Sequence, residues 1–125
     1  AVETIEFPFE MTMELVETLG LSYCLDTGHI LSGFSGPIDL IDAVDRLMPR
    51  LIDVHLHDSP RWTPGTDIVY GKDHQALGRG DLDLGAFLDH LHEAGYGGPL
   101  VFELTLPEAV ASLEVVRQVR PQYLP

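Results

Sequence analysis

Four residues of this chain combine metal-ligand chemistry with regular placement: Glu3, Asp26, His55 and Glu103. Each stands at or near the C-terminal end of a short, largely apolar run of β-like composition. Three carboxylates and an imidazole brought to one place would repel one another unless a cation held them, because buried charges are paired or ligate a metal. Mixed oxygen and nitrogen donors suit Mn²⁺ or Zn²⁺, with Co²⁺ and Mg²⁺ also admissible, and argue against a soft thiolate site. Glu103 is the least expected of the four. It sits in Pro99-Leu100-Val101-Phe102-Glu103-Leu104-Thr105, where a lone carboxylate inside an apolar strand is expensive.

Further histidines surround this set. His29 follows Asp26 by three residues in Cys24-Leu25-Asp26-Thr27-Gly28-His29, so both can face one pocket. In Asp53-Val54-His55-Leu56-His57-Asp58, strand alternation puts Asp53, His55 and His57 on one face and Ile52, Val54 and Leu56 on the other. His57 and Asp58 are expected past the strand end, in water. His74 lies in the string from Gly71 to Gly80, which reads either as an exposed loop or as a segment bringing His74 to the pocket. There it would be a second metal ligand, an acid/base or a phosphate contact. Gly78 and Gly80 would let the backbone turn sharply.

These residues need elements to position them, and the sequence repeats one pattern four times: a β-like run, a loop and a helix-like run. The strands are expected at Ala1–Phe7, Leu21–Asp26, Leu51–His57 and Pro99–Thr105. The helices are expected at Glu10–Leu19, Pro37–Leu47, Leu84–Ala94 and Pro107–Val119, from apolar residues at helical spacing bounded by Gly20, Pro49 and Gly95. Gly28 to Gly36 reads as a loop, and Asp58 to Asp81 as a longer one, of a length that is often functional. Strand–helix alternation predicts a parallel sheet covered by helices, whose active site gathers at the C-terminal ends of the strands. A (β/α)₈ barrel needs roughly 250 residues, so residues 1–125 are expected to form a single (β/α)₄ half-barrel, a fragment of a larger TIM-barrel domain. Four open units would leave two sheet edges unpaired. The expected partner is therefore a missing N-terminal half-barrel or a second copy of the chain, and the opening Ala1-Val2-Glu3, which starts mid-strand, is read as a cut end.

Composition narrows the function. With 7 Lys+Arg against 20 Asp+Glu the net charge is −13, which disfavours general nucleic-acid binding. The single cysteine, Cys24, permits no disulfide within the chain, so a reducing, cytoplasmic setting is expected. Cys24 itself reads as a small buried hydrophobe. No apolar stretch is long enough to span a membrane.

Taken together, Leu25-Asp26-Thr27-Gly28-His29, His55-Leu56-His57-Asp58, His74 with Leu77-Gly78-Arg79-Gly80-Asp81, Gly95-Tyr96-Gly97-Gly98 and Pro99-Leu100-Val101-Phe102-Glu103 resemble the xylose-isomerase-like barrel superfamily, which includes the family-2 apurinic endonucleases and the sugar epimerases. The pieces come in the family's order and cover nearly the whole chain. The resemblance implies that Glu3, Asp26, His55 and Glu103 form a four-ligand site for a divalent metal. It implies that His29 and His74 contact substrate or metal, and that Glu3 and Glu103 move a proton in the epimerase-like members. The implied activity is metal-dependent isomerisation or epimerisation of a sugar or sugar phosphate. The opening Glu3-Thr4-Ile5-Glu6-Phe7-Pro8-Phe9 and Lys72-Asp73-His74 are instead similar to cobamide-remodelling phosphodiesterases of the same superfamily. That keeps a metal-dependent hydrolase as the alternative, beside a half-barrel without catalysis. Endonuclease-like members carry an Asp where Lys72 stands, and this departure counts against DNA repair.

Overall fold

Val2–Glu3 (β1), Tyr23–Asp26 (β2), Leu51–His55 (β3) and Leu100–Val101 (β4) form one parallel sheet in the order β1-β2-β3-β4. The computed structural model describes every residue except Glu6, Val69 and Pro125. Glu6 falls inside the expected first strand and Val69 inside the long loop, so those two positions lie outside the described residues. Between the strands run helices Phe9–Leu19 (α1), Thr27–Leu31 (α2), Leu40–Leu47 (α3), Leu84–Glu93 (α4) and Leu106–Val119 (α5). The architecture is therefore a partial (β/α) barrel, as the alternation predicts.

The helix ends follow local chemistry. Gly20 closes α1 in the left-handed region at φ 63°, and its N–H returns to the Glu17 carbonyl. Asp39 caps α3 through the Ile41 amide, and Asp83 caps α4 through the Ala86 amide. Thr105 and Glu108 form a capping box at the start of α5, with Pro107 in its first turn. Helix α3 turns Leu40, Ala43, Val44 and Leu47 into the core. Burying each such leucine or valine contributes roughly 1.5–3 kcal/mol. The same core holds Leu25, Val54 and Leu56 from the strand side and Phe87, Leu88 and Leu91 from α4.

The expected elements shift in four places. The strands are shorter than anticipated, most of all β1 and β4, which among the described residues have a partner on one side only. The stretch from Gly28 onward is not all loop, because the Asp26 carboxylate accepts the His29 amide and starts α2 at once. Helix α3 begins at Leu40 rather than Pro37, behind the Asp39 cap, and ends at Leu47 as expected, with Pro49 in a 3₁₀ turn, Met48–Arg50. Ile52 does not share the buried face of Val54 and Leu56. The β2–β3 register jumps from Tyr23↔Leu51 to Cys24↔Asp53, so Ile52 is the extra residue of a bulge and points outward while Leu51 takes the core position.

Both open edges are apolar. Beside β1, a groove of about 550 Å³ runs along Val2, Ile5, Phe7, Met11, Leu15 and Leu19. Beside β4, Leu100, Val101, Leu106 and Val110 are exposed. No helix among the described residues is long and apolar enough to cross a membrane.

Candidate functional site

The C-terminal ends of the strands bring the expected ligands together. Glu3 ends β1, Asp26 ends β2, His55 ends β3, and Glu103 follows β4 by two residues. One donor atom from each of these four lies within 4.8 Å of every other. His55 Nδ1 stands 3.5 Å from Glu3, 3.8 Å from Asp26 and 3.4 Å from Glu103. Glu103 does not occupy the interior of an apolar strand as expected. It lies at the rim and is 46% exposed at its side chain, because β4 has already ended at Val101.

The chemistry of the donor set fits a cation. His55 Nδ1 is buried and has no hydrogen-bond partner among the described residues, while three carboxylates face it. Donors around one ion at bond lengths of about 2.1 Å lie roughly 3–3.5 Å apart, close to the separations here. Burial and the neighbouring Asp26 carboxylate raise the Glu3 pKa above its ordinary value. Burial pushes Asp26 the same way, but the hydrogen bonds from His57 and from the His29 amide hold it below the usual carboxylate value.

Asp26 is the most constrained ligand. Its backbone N–H donates to Thr4 Oγ1 at 2.9 Å. Its Oδ1 accepts the His29 amide at 2.7 Å, and its Oδ2 lies 2.9 Å from His57 Nε2. His57 is thus not in water beyond the strand, and neither is Asp58; both are fully buried. The chain past β3 stays tied, with the Leu56 amide on the Val101 carbonyl and Asp58 bridged to Gln75 in both directions. Alternation put His57 on the His55 face but gave no sign of its burial, which depends on Asp26 and the His74 amide.

A second cluster abuts the first. Asp26, His29, His57 and His74 also offer donors within 4.8 Å of one another. His29 Nδ1 lies 2.9 Å from the Thr4 carbonyl. A carbonyl only accepts, so Nδ1 carries a proton, and Nε2 on the opposite edge lies 3.6 Å from Asp73. His74 lies between Asp73, at 2.6 Å, and Glu103, at 3.2 Å. Burial pulls its pKa down, but these two carboxylates outweigh that and raise it. Asp73 was not singled out as a site residue in the sequence; its adjacency to His74 was the available sign. A cavity of about 460 Å³ opens beside His29 against Ile5, Phe7 and Phe34, and Phe34 stacks on Tyr70 with ring centres 5.4 Å apart.

Comparisons with known proteins identify the family and the fold. The family model described as "Xylose isomerase-like TIM barrel" matches residues 2–119. Among solved structures, a xylose isomerase domain protein from Planctomyces limnophilus superposes with a TM-score of 0.75 at 28% identity, covering 96% of this chain and 44% of that one. A D-tagatose 3-epimerase-like protein superposes with a TM-score of 0.70 at 25% identity, covering 96% of this chain and 46% of that one. The chain thus spans less than half the length of either. A comparison with curated proteins finds no match.

Proposed function

Because this chain belongs to the xylose isomerase-like TIM barrel family, we propose that it carries the divalent-metal site of a sugar or sugar-phosphate isomerase or epimerase. The observation that carries the reading is the buried, unpartnered His55 Nδ1 facing the carboxylates of Glu3, Asp26 and Glu103. Those four residues would hold Mn²⁺ or Zn²⁺. A bound divalent cation polarises a substrate carbonyl and acidifies the adjacent C–H.

The chain's own groups would do the rest. Glu3 and Glu103 flank His55 and carry the proton. His29 and His74 would bind substrate hydroxyl or phosphate oxygens, with Asp73 orienting both rings. Phe34 and Phe7 would supply an apolar wall that holds the carbon skeleton and excludes water.

The second cluster favours a specific alternative. His29, Asp73 and His74 beside a shared Asp26 would suit a second cation, and with it hydrolysis of a phosphodiester. In that case phosphate-ester cleavage depends on His29 and His74, and alanine at both positions leaving cleavage intact would sink it. The apolar edges beside β1 and β4 would accept further β/α units, supplied by more of the same polypeptide or by a second copy. Light scattering separates these sources, since only the second requires a dimer. A half-barrel that binds metal without turnover is the remaining reading.

The deciding experiment measures bound metal per chain on protein purified without chelator, beside Glu103→Gln, together with solvent exchange of a sugar's α-proton. About one equivalent of Mn or Zn and proton exchange, both lost in the variant, support the isomerase reading. Metal-free protein, or exchange undiminished by Glu103→Gln, refutes it.

A further inference from the structure

His57 is a fully buried histidine at the centre of the site, and neither of its nitrogens is free. The His74 backbone amide donates to Nδ1 at 2.9 Å. A backbone N–H can only donate, so Nδ1 must carry a lone pair and the ring proton sits on Nε2. Nε2–H in turn points at Asp26 Oδ2, 2.9 Å away. Both nitrogens are therefore spent on protein partners, and His57 has no lone pair left for a cation even though it lies within ligand distance of Asp26, His29 and His74.

We propose that His57 is a positioning residue: one imidazole in one tautomer clamps the Asp26 carboxylate and, through its opposite edge, pins the loop that carries Asp73 and His74. Three independent features build its seat. Its ring stacks on that of His74, with centres 4.1 Å apart and planes 13° from parallel. Thr27 Oγ1 donates to the His57 carbonyl at 2.7 Å and lies 3.1 Å from the His57 amide, locking the backbone at that position. Gly28 has no side chain where a methyl group would overlap the His57 ring. The loop end is held in an unusual conformation, since His74 is the one non-glycine residue at positive φ, 57°, among the described residues. The His57 bond fastens the amide of that residue.

The consequence is directional. Asp26 Oδ1 is occupied by the His29 amide and Oδ2 by His57, so the carboxylate is presented to His55 and Glu3 in one orientation. Partners of this kind, behind a ligand, tune metal affinity by about 10–100-fold. The same ring transmits any displacement of the Asp73–His74 segment to Asp26, so the two clusters do not move independently.

Two substitutions separate the two edges of the ring. In His57→Gln, the side-chain amide nitrogen reaches the place of Nε2 and keeps the donor to Asp26, but no acceptor remains for the His74 amide. In His57→Asn, the side-chain oxygen takes the place of Nδ1 and keeps that acceptor, but the donor to Asp26 is lost. The readouts are the dissociation constant for added Mn²⁺ and hydrogen exchange of the His74 backbone amide. His57→Gln should bind Mn²⁺ within about threefold of wild type while the His74 amide exchanges faster. His57→Asn should weaken Mn²⁺ binding about tenfold or more with His74 still protected. Equal effects of the two variants on both readouts overturn the proposal, as the ring would then be a filler. Should either variant fail to fold, the imidazole ¹⁵N spectrum of the wild-type protein decides: a proton on Nε2 of His57 supports the bridge, and a proton on Nδ1 overturns it. The Mn²⁺ readout rests on the metal reading. Wild-type protein that binds no Mn²⁺ overturns that reading, and the spectrum and the His74 amide then judge the bridge by themselves.

Discussion

Replacing Asp58 by alanine should unfold this protein more readily than any surface substitution, and the reason can be worked through bond by bond. The Asp58 carboxylate is fully buried. Its Oδ1 accepts the amides of Ser59 at 2.8 Å and Leu82 at 2.9 Å, and its Oδ2 accepts that of Gly78 at 2.9 Å. It therefore gathers both ends of the long loop onto one side chain. Hydrogen bonds to a charged group contribute about 1.5–3 kcal/mol each, so three of them set a ceiling of roughly 5–9 kcal/mol. Gly78 is exposed and Leu82 half-buried, so water recovers part of that, and the expected loss is about 3–5 kcal/mol. For a chain of this size that lowers Tm by roughly 10–20 °C. Asp58→Asn keeps an acceptor for Ser59 and Leu82 but turns an N–H₂ toward the Gly78 amide, and should lose about 1–3 kcal/mol. Urea unfolding followed by circular dichroism measures both. An Asp58→Ala protein within about 1 kcal/mol of wild type would refute the reasoning, since three stranded amides cannot be that cheap.

Three other outcomes follow from the same structure. Gly28→Ala places a methyl group against the buried His57 ring; it should destabilise by about 1–3 kcal/mol and weaken Mn²⁺ binding, read by thermal melts and metal titration, and a variant as stable as wild type would mean the ring has room to move. Asp89 hydrogen-bonds Arg120 and Tyr123, and the Arg120 guanidinium holds its pKa below the ordinary 3.8. A depressed folded pKa contributes stability above the unfolded value that is lost as pH falls through the folded one, so Asp89→Asn should melt below wild type at pH 7, with the gap closing only beneath about pH 3.8; a gap unchanged at pH 2 contradicts this. Burial pushes the Cys24 thiol up to about 12, so native protein at pH 8 should resist an alkylating reagent that labels it fully in denaturant, and rapid native labelling would refute its burial.

The order of elements was readable from the chain alone, because apolar periodicity, proline and glycine are local signals. So were Glu3, Asp26, His55 and Glu103 as a set, because polar residues recurring at strand ends stand out against apolar neighbours, while His29 and His74 were added to it by the family resemblance. The structure brings all six to one end of the sheet. What the sequence left undetermined depends on contacts between distant segments. Ile52 faces out because the bulge is a property of two paired strands, invisible in either one. Glu103 is half open because β4 is an edge with one neighbour. His57 and Asp58 looked solvated because a strand seemed to have ended. They are buried because the loop from 59 to 82 folds back and spends its amides on them. A buried polar side chain needs partners, and at those positions all but the adjacent Ser59 amide come from 17 to 31 residues away, a distance across which no local pattern carries information.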